Sequence, residues 1–155
     1  MENERDIEEY WSNKSEELGE PIVMRSISHT YYRGIPDTFG ILYASENYLV
    51  YEYSNKGRKS ILESLFSRRG GEELSESVQI PRKQIRWAVN VNSSAARSWV
   101  RRSLQPREVL EKLEKMRPAP LLNILAGTVV CVCTDTDYIV LDTPANRQWS
   151  ALLQG

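Results

Sequence analysis

Histidine is almost missing from this 155-residue chain, which has one, His29, and cysteine is scarce, at Cys131 and Cys133. One histidine excludes histidine-rich metal clusters and most histidine–carboxylate pairs. Two cysteines cannot complete a tetrahedral thiolate site. They stand at i and i+2, a spacing that points both thiols the same way along a strand without easily closing a ring, so small buried side chains are expected. No apolar run approaches the roughly 20 residues needed to span a bilayer. A glycine loop that cradles phosphate, a zinc ligand set and a nucleophile elbow are also missing, so an enzyme is not expected. The acidic start Met-Glu-Asn-Glu-Arg-Asp is unlike an export signal, and the expected setting is a reducing cytoplasm, at most peripheral to a membrane. Asn13-Lys14-Ser15 and Asn92-Ser93-Ser94 therefore carry no glycosylation meaning.

What is present is a chain of ordinary globular composition, 41% hydrophobic and 26% charged, long enough for one core. Its net charge of −1 hides a partition. Residues 1–20 carry eight acidic groups against two basic, and residues 56–117 carry fifteen basic against seven acidic. Such separation signals a basic binding face, or an acidic arm paired with it in this chain or a second copy.

The organising stretch is Thr38 to Tyr53, two β-branched and aromatic runs joined by Ser45-Glu46-Asn47. It reads as an antiparallel hairpin, with Leu42 and Ala44 on one face of the first strand and Leu49 and Tyr51 on one face of the second. Upstream, Ile7, Tyr10 and Trp11 form a helical stripe over residues 2–18, stopped at Gly19, so a helix docked by Trp11 is expected, with a disordered tail as the alternative. Pro21 to Tyr32 reads as the first strand. After the hairpin, Ile61, Leu62, Leu65 and Phe66 share a helical face. Ser77–Pro81 and Gln84–Val91 are strands split by a corner at Pro81.

The period then becomes helical. Ala95, Ala96, Trp99 and Val100 line one side of a helix and Arg97 and Arg101 the other. Pro106 opens a second helix with the stripe Val109, Leu110, Leu113 and Met116, supported by Glu108–Lys112 and Glu111–Lys115 pairs. The segment Leu121–Ala126 fits a short helix or a strand. Thr128–Thr134 reads as a strand buried on both faces, Asp135-Thr136-Asp137 as a turn and Tyr138–Asp142 as the returning strand. Thr143 is expected to cap a closing helix led by Pro144 and carrying Trp149.

This order of elements resembles the pleckstrin-homology superfold, most closely its GRAM and bacterial branches. Gly40, Leu42, Tyr43, Asn47, Leu49, Val50 and Tyr51 stand where those families place the first-hairpin motif. Ser77–Pro81 with Ile85 resembles their strand and proline corner, and Trp149 the tryptophan that anchors the closing helix. The resemblance covers roughly 21–91 and 128–153. It implies an α+β, mainly antiparallel fold, a curved barrel over 21–155 with a C-terminal helix. The residue pattern itself adds helical inserts near 59–69 and 93–117, the second a departure where these domains usually have a loop, and an N-terminal helical extension over 1–20. In relatives that bind phosphoinositides the basic cluster lies in the first strand–strand loop. Here that loop, read as His29–Asp37, has one arginine and one aspartate, a departure that argues against headgroup binding.

The candidate binding residues are Lys56, Arg58, Lys59, Arg68 and Arg69 as charge contacts, with Phe66 as the apolar contact. Their arrangement is that of a basic amphipathic element suited to a protein partner or an anionic lipid surface. The competing reading has the apolar side of 60–66 covering the sheet. Arg82, Lys83 and Arg86 with Trp87, and Arg97, Arg101 and Arg102 with Trp99, interleave cations and aromatics. A pI near 5.9 sets nucleic acid aside as the main partner. The expected role is a non-catalytic binding or adaptor module without cofactor or metal, with a structural homodimer, Trp11 or Trp99 at its seam, as the alternative. Asp135 and Asp137 read as turn residues, not calcium ligands.

Overall fold

A computed structural model describes residues 2–32, 35–54, 76–116 and 127–154. The protein is α+β. Its described strands are β1 (Met24–Tyr32), β2 (Ile35–Ala44), β3 (Tyr48–Ser54), β4 (Glu76–Pro81), β5 (Trp87–Asn92), β6 (Thr128–Cys133) and β7 (Tyr138–Asp142). They are hydrogen-bonded in the order β4-β3-β2-β1-β7-β6-β5, and every pairing with a defined register is antiparallel. The described helices are α1 (Glu2–Leu18), α2 (Ser93–Arg101), α3 (Pro106–Met116) and α4 (Asn146–Gln154). The chain forms two compact units, residues 1–27 with 38–82 and residues 28–37 with 83–155.

In the first unit the expected hairpin forms, with Leu42 opposite Tyr51 and Ala44 opposite Leu49, joined through Ser45–Asn47. All four side chains are buried. Gly40 is required by close packing: a Cβ there would lie 2.1 Å from the Glu52 carbonyl oxygen and 2.9 Å from the Tyr51 ring. The other face carries Ile41, Tyr43 and Val50, and α1 covers it with Trp11, Ile7, Tyr10 and Leu18. Trp11 meets Tyr10 and Tyr43 edge-on, with centroids at 5.3 and 5.6 Å, contacts worth about 0.5–1.5 kcal/mol each beyond area burial. Helix α1 ends at Gly19, whose φ of +80° suits glycine.

The second unit is built on β6, apolar on both sides as its sequence predicts, with Val129 through Cys133 all buried. Helices α2 and α3 turn Ala96, Trp99, Val109 and Leu113 onto one side, against Val129, Cys131, Cys133, Tyr138 and Val140. The Asn92 side chain caps α2 by accepting from the Ala95 amide at 3.1 Å. Helix α4 lies against β5 and β6 with Trp149 fully buried. Gln154 donates to the Ala88 carbonyl, and Asn90 donates to Ser150 at 2.9 Å.

Several boundaries differ from the sequence reading. β1 starts at Met24, later than Pro21, and β2 starts at Ile35, so Pro36 lies inside a strand near its beginning, a position where proline is tolerated. β1 runs to Tyr32 and β2 begins at Ile35, so residues 29–32 and 35–37 of the stretch read as the loop His29–Asp37 are strand. β5 begins at Trp87 because a single 3-10 turn, Arg82–Gln84, follows Pro81. The closing helix starts at Asn146: the Thr143 hydroxyl accepts from the Ala145 amide at 3.0 Å, making a turn before the helix. On α3, Glu108 accepts from the Gln105 amide and Glu111 turns back to Arg107 at 4.0 Å, in place of the forward pairs with Lys112 and Lys115. Leu121–Ala126 and the 59–69 insert lie outside the described residues.

Truncating a fully buried tryptophan removes its contacts and leaves a cavity. Trp149→Ala should cost about 3–5 kcal/mol in urea unfolding monitored by circular dichroism. A loss below about 1 kcal/mol would show that α4 is held mainly by its hydrogen bonds.

Candidate binding site

Lys56, Arg58, Lys59, Phe66, Arg68 and Arg69 all lie outside the described residues. The basic residues that are described separate into paired and unpaired groups. In the first unit Arg82 is committed to the hairpin loop, its guanidinium donating to the carbonyls of Ser45 at 2.9 Å and Glu46 at 3.1 Å. In the second, Arg86 meets Asp135 at 2.7 Å, and that bond holds it above the usual guanidinium range. Trp87 packs against the core and Trp99 is buried, so neither indole is displayed for stacking on a base.

Of the other exposed cations, three stand close together on α2 and its C-cap. Arg97, Arg101 and Arg102 are exposed. Arg97 lies over the Tyr31 ring with its guanidinium carbon 5.0 Å from the centroid. The inward side of the same helix is fixed by Trp99 and Ala96, and the buried Tyr138 hydroxyl donates to the Trp99 carbonyl at 3.2 Å. The chain reverses after α2 through Ser103, at φ 51°. A rigid, inward-anchored helix thus presents a cationic face.

The remaining candidates have structural roles. The Thr134 hydroxyl accepts from the amides of Thr136 and Asp137, holding the 135–137 turn, and Asp135 is spent on Arg86. His29 lies 3.2 Å through Nδ1 from the Tyr31 hydroxyl. Cys131 and Cys133 are fully buried; a hydrogen bond to Cys133, and then burial, push the Cys131 thiol well up. Among the described residues no group of three or more His, Cys, Asp or Glu stands close enough to hold a metal ion. No described helix is long and apolar enough to cross a membrane.

No protein-family model matches this chain, and no curated protein does. The fold has a solved counterpart. The C-terminal domain of an unknown protein from Leishmania infantum is similar at a TM-score of 0.51 and 14% identity, over 96% of this chain and 95% of that one. At that identity the likeness concerns the fold alone.

Two features of the first unit escaped the sequence reading. One is a polar cluster beneath α1. Lys14 turns inward, 14% exposed, and its Nζ donates to Glu52 Oε1 at 3.0 Å, while the Tyr43 hydroxyl donates to the same oxygen at 3.1 Å. Glu52 Oε2 and the Tyr10 hydroxyl are buried beside them without a hydrogen-bond partner. Burial first, then the Glu52 charge, push both tyrosines far above the usual phenol range. Burial alone would lower Lys14, but Glu52 outweighs it and the ammonium is held above its usual value. The signal was available: Lys14 falls on the helical stripe of Tyr10 and Trp11. The other feature is a groove of about 480 Å³ between Glu8, Trp11, Ser12 and Ser15 of α1 and the segment Ile22–Arg25. At its rim Arg25 meets Glu8 at 3.1 Å and lies over the Trp11 ring at 5.0 Å.

Removing Lys14 leaves Glu52 desolvated with Tyr43 as its remaining donor. Lys14→Met should cost about 3 kcal/mol in chemical unfolding. The double variant Lys14→Met/Glu52→Gln should recover most of that; equal loss in both would show the pair is not coupled.

Glu20 clamps the hairpin loop, accepting from Ser45 Oγ, from the Asn47 side chain at 2.7 Å and from the Asn47 amide at 3.0 Å. Those bonds, Ser45's first, lower its carboxyl below the ordinary 4.5. A carboxylate depressed in the folded state adds stability above its unfolded pKa and loses it as pH falls through the folded value. The melting-temperature gap between wild type and Glu20→Gln should therefore be full at pH 7 and close below about pH 4. A gap unchanged at low pH would assign the clamp no charge contribution.

Proposed function

We propose that this chain is a non-catalytic binding module of pleckstrin-homology-like architecture that engages an anionic surface, on a protein partner or a membrane, through its basic inserts. The observation carrying the reading is the α2 face, where Arg97, Arg101 and Arg102 are exposed on a helix whose opposite side is locked into a core. The architectural part is supported by the strand order β4-β3-β2-β1-β7-β6-β5 and by the closing helix with its buried tryptophan. Most of the stretch read as the first strand–strand loop is strand, β1 to Tyr32 and β2 from Ile35, so the headgroup pocket of phosphoinositide-binding relatives is not part of the proposal.

An exposed basic residue near an anionic surface contributes about 1 kcal/mol, so removing two should weaken binding roughly thirtyfold. The test is binding to phosphatidylcholine vesicles of rising phosphatidylserine content and retention on a heparin matrix. Wild type is compared with Arg101→Gln/Arg102→Gln and with a variant neutralised at Lys56, Arg58, Lys59, Arg68 and Arg69. Weakened binding in either variant supports the basic inserts. Binding unchanged in both overturns the reading.

A further inference from the structure

We infer that the acidic outer face of α1 is a docking surface for the basic face of α2 on a second copy of this chain. This rests on the reading of α2 as a basic binding face and names its partner. The charge asymmetry of the sequence becomes a surface property because of where Lys14 goes. Of the two cations in residues 1–20, Lys14 is turned inward to Glu52, which leaves Arg5 alone among the exposed Glu4, Glu8, Glu9, Glu16 and Glu17. Lys14 also reaches Glu17 at 3.3 Å, and Arg25 meets Glu8, so both contacts trim this field without reversing it.

The spacing on the two helices matches. Glu4 and Glu8 stand one helical turn apart on α1, as do Arg97 and Arg101 on α2, so two facing helices bring opposite charges together turn by turn. Beside Glu8 the groove displays Val23, 56% exposed and the one large apolar side chain so exposed among the described residues. An interface therefore has an apolar spot as well as charge to bury. A lipid surface suits α2 but repels α1, whereas a second copy of this chain offers a complementary partner to either face.

The test is sedimentation equilibrium of the full chain across concentration at low and high salt. The expected result is a dimer at low salt that dissociates as ionic strength rises. Arg101→Glu/Arg102→Glu and Glu4→Lys/Glu8→Lys should each be monomeric, with circular dichroism matching wild type. Mixing the two variants should restore the dimer, because each then offers the sign the other lost. A wild type that stays monomeric overturns the inference; if neutralising Arg101 and Arg102 still weakens heparin retention, the proposed function survives. Loss of neither property to any of these variants removes both. A dimer insensitive to salt and to both charge reversals places the contact elsewhere and also overturns it.

Discussion

A β-hairpin with apolar side chains on both faces cannot remain in water, and the β2–β3 ribbon is such a hairpin. Its register puts Leu42, Ala44, Leu49 and Tyr51 on one side and Ile41, Tyr43 and Val50 on the other, and all seven are buried. A single-sided ribbon leaves its polar face to solvent, but this one must be covered twice. That demand explains why α1 is part of the compact first unit: Trp11, Ile7 and Leu18 close over Ile41, Tyr43 and Val50. It also explains Gly40, since a packed ribbon has no space for a side chain where Tyr51 crosses the strand.

The same covering forces a compromise with charge. Tyr43 and Glu52 lie on the face that α1 closes, so a carboxylate is carried under a helix. A buried carboxylate is tolerated when paired and hydrogen-bonded. Lys14 and Tyr43 do this for one oxygen, while the second oxygen and the Tyr10 hydroxyl remain unsatisfied. Such a pair adds little net stability over an apolar substitute, but it penalises any other seating of α1. Rotating the helix by one residue would strand both charges. The pair therefore acts on where α1 sits more than on how tightly it binds.

Much of this was legible from periodicity. The helical stripes of α1, α2 and α3, the hairpin with its Ser45–Asn47 loop, and the doubly buried β6 all follow from the spacing of apolar residues. The errors fall where local rules met longer-range pairing. Pro36 marked a loop by its own chemistry, yet β2 begins before it. Thr143 marked a helix cap, but its hydroxyl serves the Ala145 amide, one residue before the helix begins at Asn146. Lys14 was not read as part of the inward stripe, since lysine is usually exposed; only Glu52, remote in sequence but in register with Ile41, makes an inward lysine tolerable. The binding residues named from the 56–69 insert lie outside the described structure, whereas the arginines of α2, read as companions of Trp99, stand exposed once Trp99 is buried.

Amphipathicity links the fold to its proposed use. A two-helix insert buries its apolar stripes, and every residue off those stripes is then displayed at fixed helical spacing. In α2 the inward set is Ala96 and Trp99, with Tyr138 bonded to the Trp99 carbonyl, so the orientation is set by a bulky aromatic and a buried hydrogen bond. Arg97 is further restrained by its place over Tyr31. Restrained cations lose less side-chain entropy on binding than free ones, which favours a specific anionic partner over diffuse counterions. On α1 the logic runs in the opposite sign: its inward-facing lysine leaves the outer face depleted of positive charge. One helix that turns its lysine inward and another that has no acidic residue present opposite charges outward, and that is the physical basis for expecting the surfaces of separate copies to meet.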